Sequence, residues 1–310
     1  MDKATEREAL TKVFGTYAEL ALDSERPDFI IEQSTFRHGV EVTEFYSSDI
    51  VAMLNNVPSY TTGLLDGTVA AHYRDRQHLR VETVSLEYED GRRIDDLRAI
   101  FQPTPTVRDQ LDLLLSAIDA KGQKHDEYLK SVDVVDLVIW DRSCLFGRQE
   151  AFLSLMNAPL EVRRRFLQMP FREVFLLTRS PEPTTEFYYP IRANLLLADA
   201  LLIDHSHIES GATLDDPQRI FTIACCLKEL GHSISYQANP EESIHCPGWQ
   251  ILFNELSVTL RRWIDAGELQ PPIDEDRSSM LGIASETIAR LLEGRARMGC
   301  ENVFIALDAN

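Results

Sequence analysis

Two acidic residues on neighbouring β-rich segments are the most chemically suggestive feature of this sequence. The run ERPDFIIEQSTFRHGVEVTEF places Asp28 at the head of one segment and Glu41 in the next. A hairpin joining the two segments can bring both carboxylates together at one end. Two convergent oxygen ligands are what Mg2+ or Mn2+ asks for, with water and phosphate oxygens completing an octahedron. The backbone carbonyl of Val42 could supply a third protein oxygen.

The elements that must position these groups follow from periodicity. Residues 4–22 read as a helix, because Leu10, Val13, Phe14, Tyr17, Leu20 and Ala21 fall on one face at 3.6-residue spacing. Glu6 falls on that apolar stripe and Glu8 opposite it. An acid on a buried face must be paired or metal-bound to be tolerated. DFIIEQ reads as a strand, Arg37-His38-Gly39 as a turn, and VEVTEFY as a second, antiparallel strand. Ser48 and Thr68 are candidate caps of short helices through Leu54 and His78. RVETVSLEY, residues 80–88, alternates as a third strand, and a fourth ends near Gln102. A helix is predicted from about Val107 to Lys130 on the stripe Val107, Leu111, Leu114, Leu115 and Ile118, with Gly122 weakening but not ending it. VDVVDLVIW is almost continuously apolar, which implies a strand buried on both faces. Residues 148–168 read as helix and 172–179 as strand, and helices are expected at 247–266 and 278–298. The chain is therefore expected to be α/β over residues 1–190, with a mostly helical extension over 191–310.

Pro27-Asp28 followed by Glu41-Val42-Thr43 resembles the motif of the PD-(D/E)XK nuclease superfamily. That resemblance implies a restriction-endonuclease-like mixed sheet flanked by helices. It also implies a metal, Mg2+ or Mn2+, held by Asp28, Glu41 and the Val42 carbonyl, with Glu6 of the first helix assisting. Thr43 stands where the family has lysine. Threonine can hold a water or a phosphate by hydrogen bond but cannot supply positive charge. Some members of the superfamily bring the lysine from a nearby helix instead, and AKGQKHDEYLK offers Lys121 and Lys124. On an ideal helix Lys121, Lys124 and Tyr128 share one flank of the apolar stripe. The implied activity is metal-dependent endonucleolytic hydrolysis of DNA, or of RNA, in bacterial defence or DNA processing. Nucleases of this fold often pair, so a homodimer or another protein partner is implied as well.

Composition sets bounds on that reading. Fifty acids against 31 bases give a net charge of −19, which argues against coating nucleic acid or an anionic membrane by bulk charge. It also favours the rival reading, a catalytically degenerate nuclease-fold module that acts through interaction or regulation. Five scattered cysteines without a CxxC pair read as reduced thiols in a cytoplasm. The start MDKATEREAL reads as a charged helix and not as a signal peptide, and no apolar run approaches the roughly 20 residues of a membrane span. No phosphate-cradling glycine loop or nucleophile elbow is present in the sequence. The basic spots at 72–80, 91–98 and 163–165 are short or interrupted by acids.

Overall fold

A computed structural model describes residues 1–33, 36–71, 79–101, 105–147, 155, 157–180, 185–209, 216–237, 243–253, 258–262 and 307–308. The chain divides into two compact units. One comprises Met1–Phe45 with Leu114–Asn310; the other, Tyr46–Leu113, is inserted between its parts.

The larger unit is mixed α/β. Helix α1 (Lys3–Phe14) is capped by the Asp2 carboxylate, which accepts the Thr5 N–H at 2.8 Å. The expected helix through residue 22 is corrected: Gly15, at φ 57°, ends α1, and a 3-10 turn over Gly15–Leu20 leads into a strand. Strands β1 (Ala21–Asp23), β2 (Phe29–Gln33) and β3 (Phe36–Phe45) form an antiparallel meander. Arg37-His38-Gly39, expected as a turn, lies within β3 and pairs with β2. The alternation of apolar residues runs back through Val40 and His38, so these three residues continue the strand.

Helix α4 (Val107–Gly122) and the short helix α5 (His125–Tyr128) then lead to β6 (Val134–Asp141), which runs parallel to β3. Strand β7 (Val174–Arg179) is parallel to β6, and β8 (Glu186–Pro190) closes antiparallel on β7. Six strands thus form a mixed sheet in the order β1-β2-β3-β6-β7-β8, with the two-residue strand Leu307–Asp308 added beside β8. As its apolar run requires, β6 is buried along nearly its whole length.

Val40 and Val42 of β3, Val138 and Trp140 of β6, and Phe175 and Leu177 of β7 join the core cluster that includes α1 residues Ala9, Leu10, Val13 and Phe14. Alternation therefore sends Glu41 to the opposite face of the sheet. On the α1 face lies a buried polar group centred on Asp136. Asp136 accepts from His38 Nε2 at 2.9 Å and from Arg172 through both of its oxygens, at 2.9 and 2.6 Å. The Arg172 guanidinium, with His38 beside it, holds the Asp136 carboxyl well below the usual carboxylate range despite its burial.

Among the described residues of the C-terminal extension, two helices occur, α7 (Ile191–Glu209) and α8 (Asp216–Glu229), and strands accompany them. The described residues of the expected helix at 247–266 instead belong to a four-stranded antiparallel sheet, β9 (Ser235–Gln237), β10 (Ser243–Cys246), β11 (Trp249–Phe253) and β12 (Val258–Arg262). Ile244, Cys246, Trp249 and Ile251 are buried, and Gly248, at φ 83°, makes the tight turn that pairs Cys246 with Trp249. The helix expected at 278–298 lies outside the described residues.

The inserted unit carries α2 (Asp49–Asn56), capped by Ser48 as expected, α3 (Tyr60–Asp66), and a hairpin of β4 (Arg80–Glu87) with β5 (Arg93–Phe101). This hairpin is a separate two-stranded sheet. Thr68 caps no helix among the described residues, and its hydroxyl donates to the Gly63 carbonyl. Between α5 and β7 the chain forms α6 (Leu160–Leu167). No helix among the described residues is long and apolar enough to cross a membrane.

Candidate functional site

The hairpin register places the two carboxylates. Phe29 pairs with Val40, so continuing the antiparallel pairing by one residue sets Asp28 opposite Glu41 on one face. Directly opposed side chains have Cβ atoms roughly 4.5–5.5 Å apart, and like charges there repel. Backbone packing fixes the approach. Pro27 is buried against Gly39, where an added Cβ would come within 2.6 Å of Pro27 Cγ. Glycine at that point of β3 lets the residue before Asp28 lie flat on the strand.

Each carboxylate has one oxygen committed. Asp28 Oδ2 accepts the Val42 N–H at 2.8 Å. Glu41 Oε1 accepts from Lys121 Nζ at 2.6 Å, an ion pair whose side chains are only 6% and 23% exposed. Glu41 Oε2 is buried and has no hydrogen-bond partner. Because an extended residue projects its N–H and C=O to the same edge of the strand, the Val42 carbonyl shares the edge that faces Asp28.

Burial, then the negative charge of Glu41, raises the Asp28 carboxyl above its ordinary value, against the opposing pull of the Val42 N–H, Lys3 and Lys121. Tyr128 lies beside Glu41, its hydroxyl buried and without a partner at hydrogen-bond geometry. Burial and the neighbouring Glu41 charge push that hydroxyl above the tyrosine range, so it stays protonated.

The other expected residues divide. Lys121 joins the site through α4, whose Leu114, Leu115 and Ile118 are fully buried and anchor the helix. Lys124 does not join: Gly122 ends α4, and Lys124 is an exposed residue at the start of α5. The expectation of one helix through Lys130 is corrected at the same point. Thr43 is two residues beyond Glu41 on β3, on the same face, and partly exposed. Glu6 lies on the less exposed side of α1, as its phase requires, but it reaches the pair only through Lys3.

Lys3, which the sequence reading overlooks, binds Glu6 Oε2 at 2.9 Å and the Asp28 carbonyl at 2.9 Å, and stands 3.6 Å from Asp28 Oδ1. The residue is one turn before Glu6 on an amphipathic helix, which is the only sequence signal that could have suggested it. Of the basic spots, most of 72–80, with Gln77 and His78, lies outside the described residues. At 163–165 there is no phosphate-tracking rim: Arg163 is buried against Asp199 at 2.5 Å, and Arg165 pairs with Asp119.

Among the described residues no group of three or more His, Cys, Asp and Glu side chains is arranged to hold a metal ion. The Asp28–Glu41 pair fits one on narrower grounds. It has two opposed carboxylates, one buried oxygen without a partner, and a strand carbonyl on the same edge. No protein-family model, no curated protein and no solved structure matches the chain.

Proposed function

We propose that the chain is a metal-dependent hydrolase of phosphodiester bonds, acting on DNA or RNA from the Asp28–Glu41 site. The observation that carries this reading is the convergence of Asp28, Glu41 and Lys121. Lys121 is 80 residues from Glu41 in sequence, yet its ammonium touches that carboxylate at 2.6 Å. Asp28, Glu41 Oε2 and the Val42 carbonyl would hold Mg2+ or Mn2+. The bound cation would lower the pKa of a bound water and polarise a phosphate oxygen.

The chain's own residues account for the rest. The Val42 N–H orients Asp28. Lys121, from a helix, would supply the positive charge that Thr43 cannot and would stabilise charge building on the phosphate in the transition state. Thr43, on the same face, offers a hydroxyl to a water or a phosphate oxygen. A mixed sheet flanked by helices, with an antiparallel meander beside the parallel β6, is the coarse architecture on which this reading rests.

One observation favours a second reading, a degenerate module of this fold that acts by interaction. Glu6, the candidate third acid, is paired with Lys3, so the carboxylate set stops at two. A cleavage assay separates the two readings. Supercoiled plasmid, single-stranded DNA and RNA are incubated with Mg2+ or Mn2+, using wild type, Asp28→Ala, Glu41→Ala and Lys121→Ala. Metal-dependent cutting that all three substitutions abolish supports hydrolysis. If no substrate is cut and calorimetry detects no Mn2+ binding, the degenerate module stands.

A further inference from the structure

The β4–β5 ribbon of the inserted unit turns its apolar side to solvent. Arg80 pairs with Phe101, Glu82 with Ala99, Val84 with Leu97, and Leu86 with Ile94. Val84, Leu86, Leu97, Ile94 and Phe101 therefore share one face, and Tyr88 continues it one residue beyond β4. A bulge keeps that stripe continuous. Leu97 and Ile94 are three residues apart, a spacing that would put them on opposite faces of a regular strand. The extra residue opposite Ser85, where Asp96 takes φ 61°, returns Ile94 to the apolar side.

The reverse face is polar along the same stretch. Ser85 and Arg93 both bind Asp95, and Glu87 stands across from Arg93. Only Val81 and Ile100 of that reverse face pack inward, against the cluster of Leu64 and Leu79. The apolar face is left bare: Leu86, Tyr88, Ile94, Leu97 and Phe101 are each 38–46% exposed. An antiparallel sheet normally buries its apolar face, an isolated two-stranded ribbon is marginal in water, and a contiguous exposed apolar patch marks an interface.

We propose that this face is a homodimer interface, docking on the same face of a second copy of the chain about a twofold axis. The charges at its two ends are what select a second copy. Arg80 and Glu82 flank the apolar stripe at one end. At the other end Arg92 lies 5.1 Å over the Tyr88 ring and binds Asp90 at 2.7 Å. A twofold axis through the centre lays one ribbon antiparallel on the other. Glu82 of each copy then meets Arg92 of the other, and Arg80 meets Asp90. Opposite charges oppose at both ends, which an isologous contact requires of a single surface. Residues 80–101 carry four arginines against six acids, so the ribbon has no excess of positive charge for a nucleic acid.

Sedimentation equilibrium on the full chain over a concentration series tests this. The mass is expected to rise from 35.3 kDa towards twice that value. Leu86→Asp should hold the chain at the monomer mass with its circular dichroism unchanged. Glu82→Arg and Arg92→Glu should each weaken the dimer by about tenfold or more, and combining them should restore it, because each swapped end then meets a swapped partner. Monomer at every concentration overturns the proposal. So does a dimer that survives Leu86→Asp, or a combined charge swap that fails to recover what each single swap loses; in the first of these the stripe would instead await a different protein, and in the second another surface pairs the copies.

Discussion

Removing the Lys121 ammonium should destabilise the protein, and a divalent cation should repair the damage. Glu41 is 6% exposed and Lys121 23% exposed, with 2.6 Å between them. Lys121→Met leaves Glu41 buried, uncompensated and opposite Asp28. Breaking a buried pair costs roughly 3–5 kcal/mol. Because Lys121 is partly hydrated, the expected loss is at or below that lower end, about 2–3 kcal/mol, or about 4–12 °C in the midpoint of a unit of this size. Glu41→Gln should cost less, about 1 kcal/mol, since the lysine can turn to solvent. The double variant should lose less than the sum of the two, by about 1–2 kcal/mol. Calorimetry in EDTA measures the cycle. With Mn2+ at about 100 times its dissociation constant, linkage returns about 2.7 kcal/mol, enough to recover most of the Lys121→Met loss. Strict additivity would refute the pairing. A Lys121→Met chain that gains nothing from Mn2+ while wild type gains would refute the cation site.

Asp28→Asn should have effects of opposite sign on stability and on metal binding. Burial and Glu41 raise the Asp28 carboxyl, so its contribution to stability is complete below its unfolded value and is lost as pH rises through the folded one. Asparagine keeps an acceptor for the Val42 N–H and removes the repulsion. The midpoint should therefore rise by a few degrees, about 1 kcal/mol, at neutral pH and stay level with wild type near pH 4, while calorimetric Mn2+ binding disappears. A neutral-pH loss of stability would sink that account. Glu173 supplies a second pH test. Burial pushes its carboxyl up to about 7, although it accepts the N–H groups of Val174, Arg192 and Ala193. Its raised value means stability is lost as pH rises through about 7, on the order of 3 kcal/mol in all. Denaturant midpoints should thus fall between about pH 5 and pH 8 in wild type and fall less in Glu173→Gln; equal slopes would show that another group titrates.

The parts of the site that were legible in the sequence are those fixed by local pattern. Asp28 and Glu41 face each other because hairpin pairing follows from two alternating segments, and that holds even though 37–39, expected as the turn, lie within β3. Lys121 was legible from helix phase, because α4 is regular up to that point. Lys124 was not, since one glycine at 122 ends the helix and voids the ideal angles beyond it. Lys3 was not legible either: its partners Asp28 and Glu6 are brought to it by the docking of α1, which periodicity does not encode. The strands at 249–253 and 258–262 were misread for another reason. A short apolar run of four or five residues suits a buried strand as well as a helix, and only the Pro247-Gly248 turn distinguishes them. The inserted unit was invisible as a unit because its strands have ordinary β patterns; what separates them is sheet membership.

The charges around Asp28 explain how the site can lack a lysine at position 43. Three acids, Asp28, Glu41 and Glu6, meet two ammonium groups, Lys3 and Lys121. With every group ionised the cluster holds −1. A lysine at position 43 would stand on the same strand face as Glu41 and bring that sum to zero, removing the local attraction for a divalent ion. Lys121 instead reaches Glu41 from α4 and satisfies only one oxygen, while Lys3 grips the Asp28 carbonyl more closely than its carboxylate. On the proposed reading, Glu41 Oε2, which has no hydrogen-bond partner, is the oxygen a cation would take. The threonine then fits the arrangement: it keeps a hydroxyl on the working face, and the positive charge enters from a helix at a distance from the oxygen a metal would use.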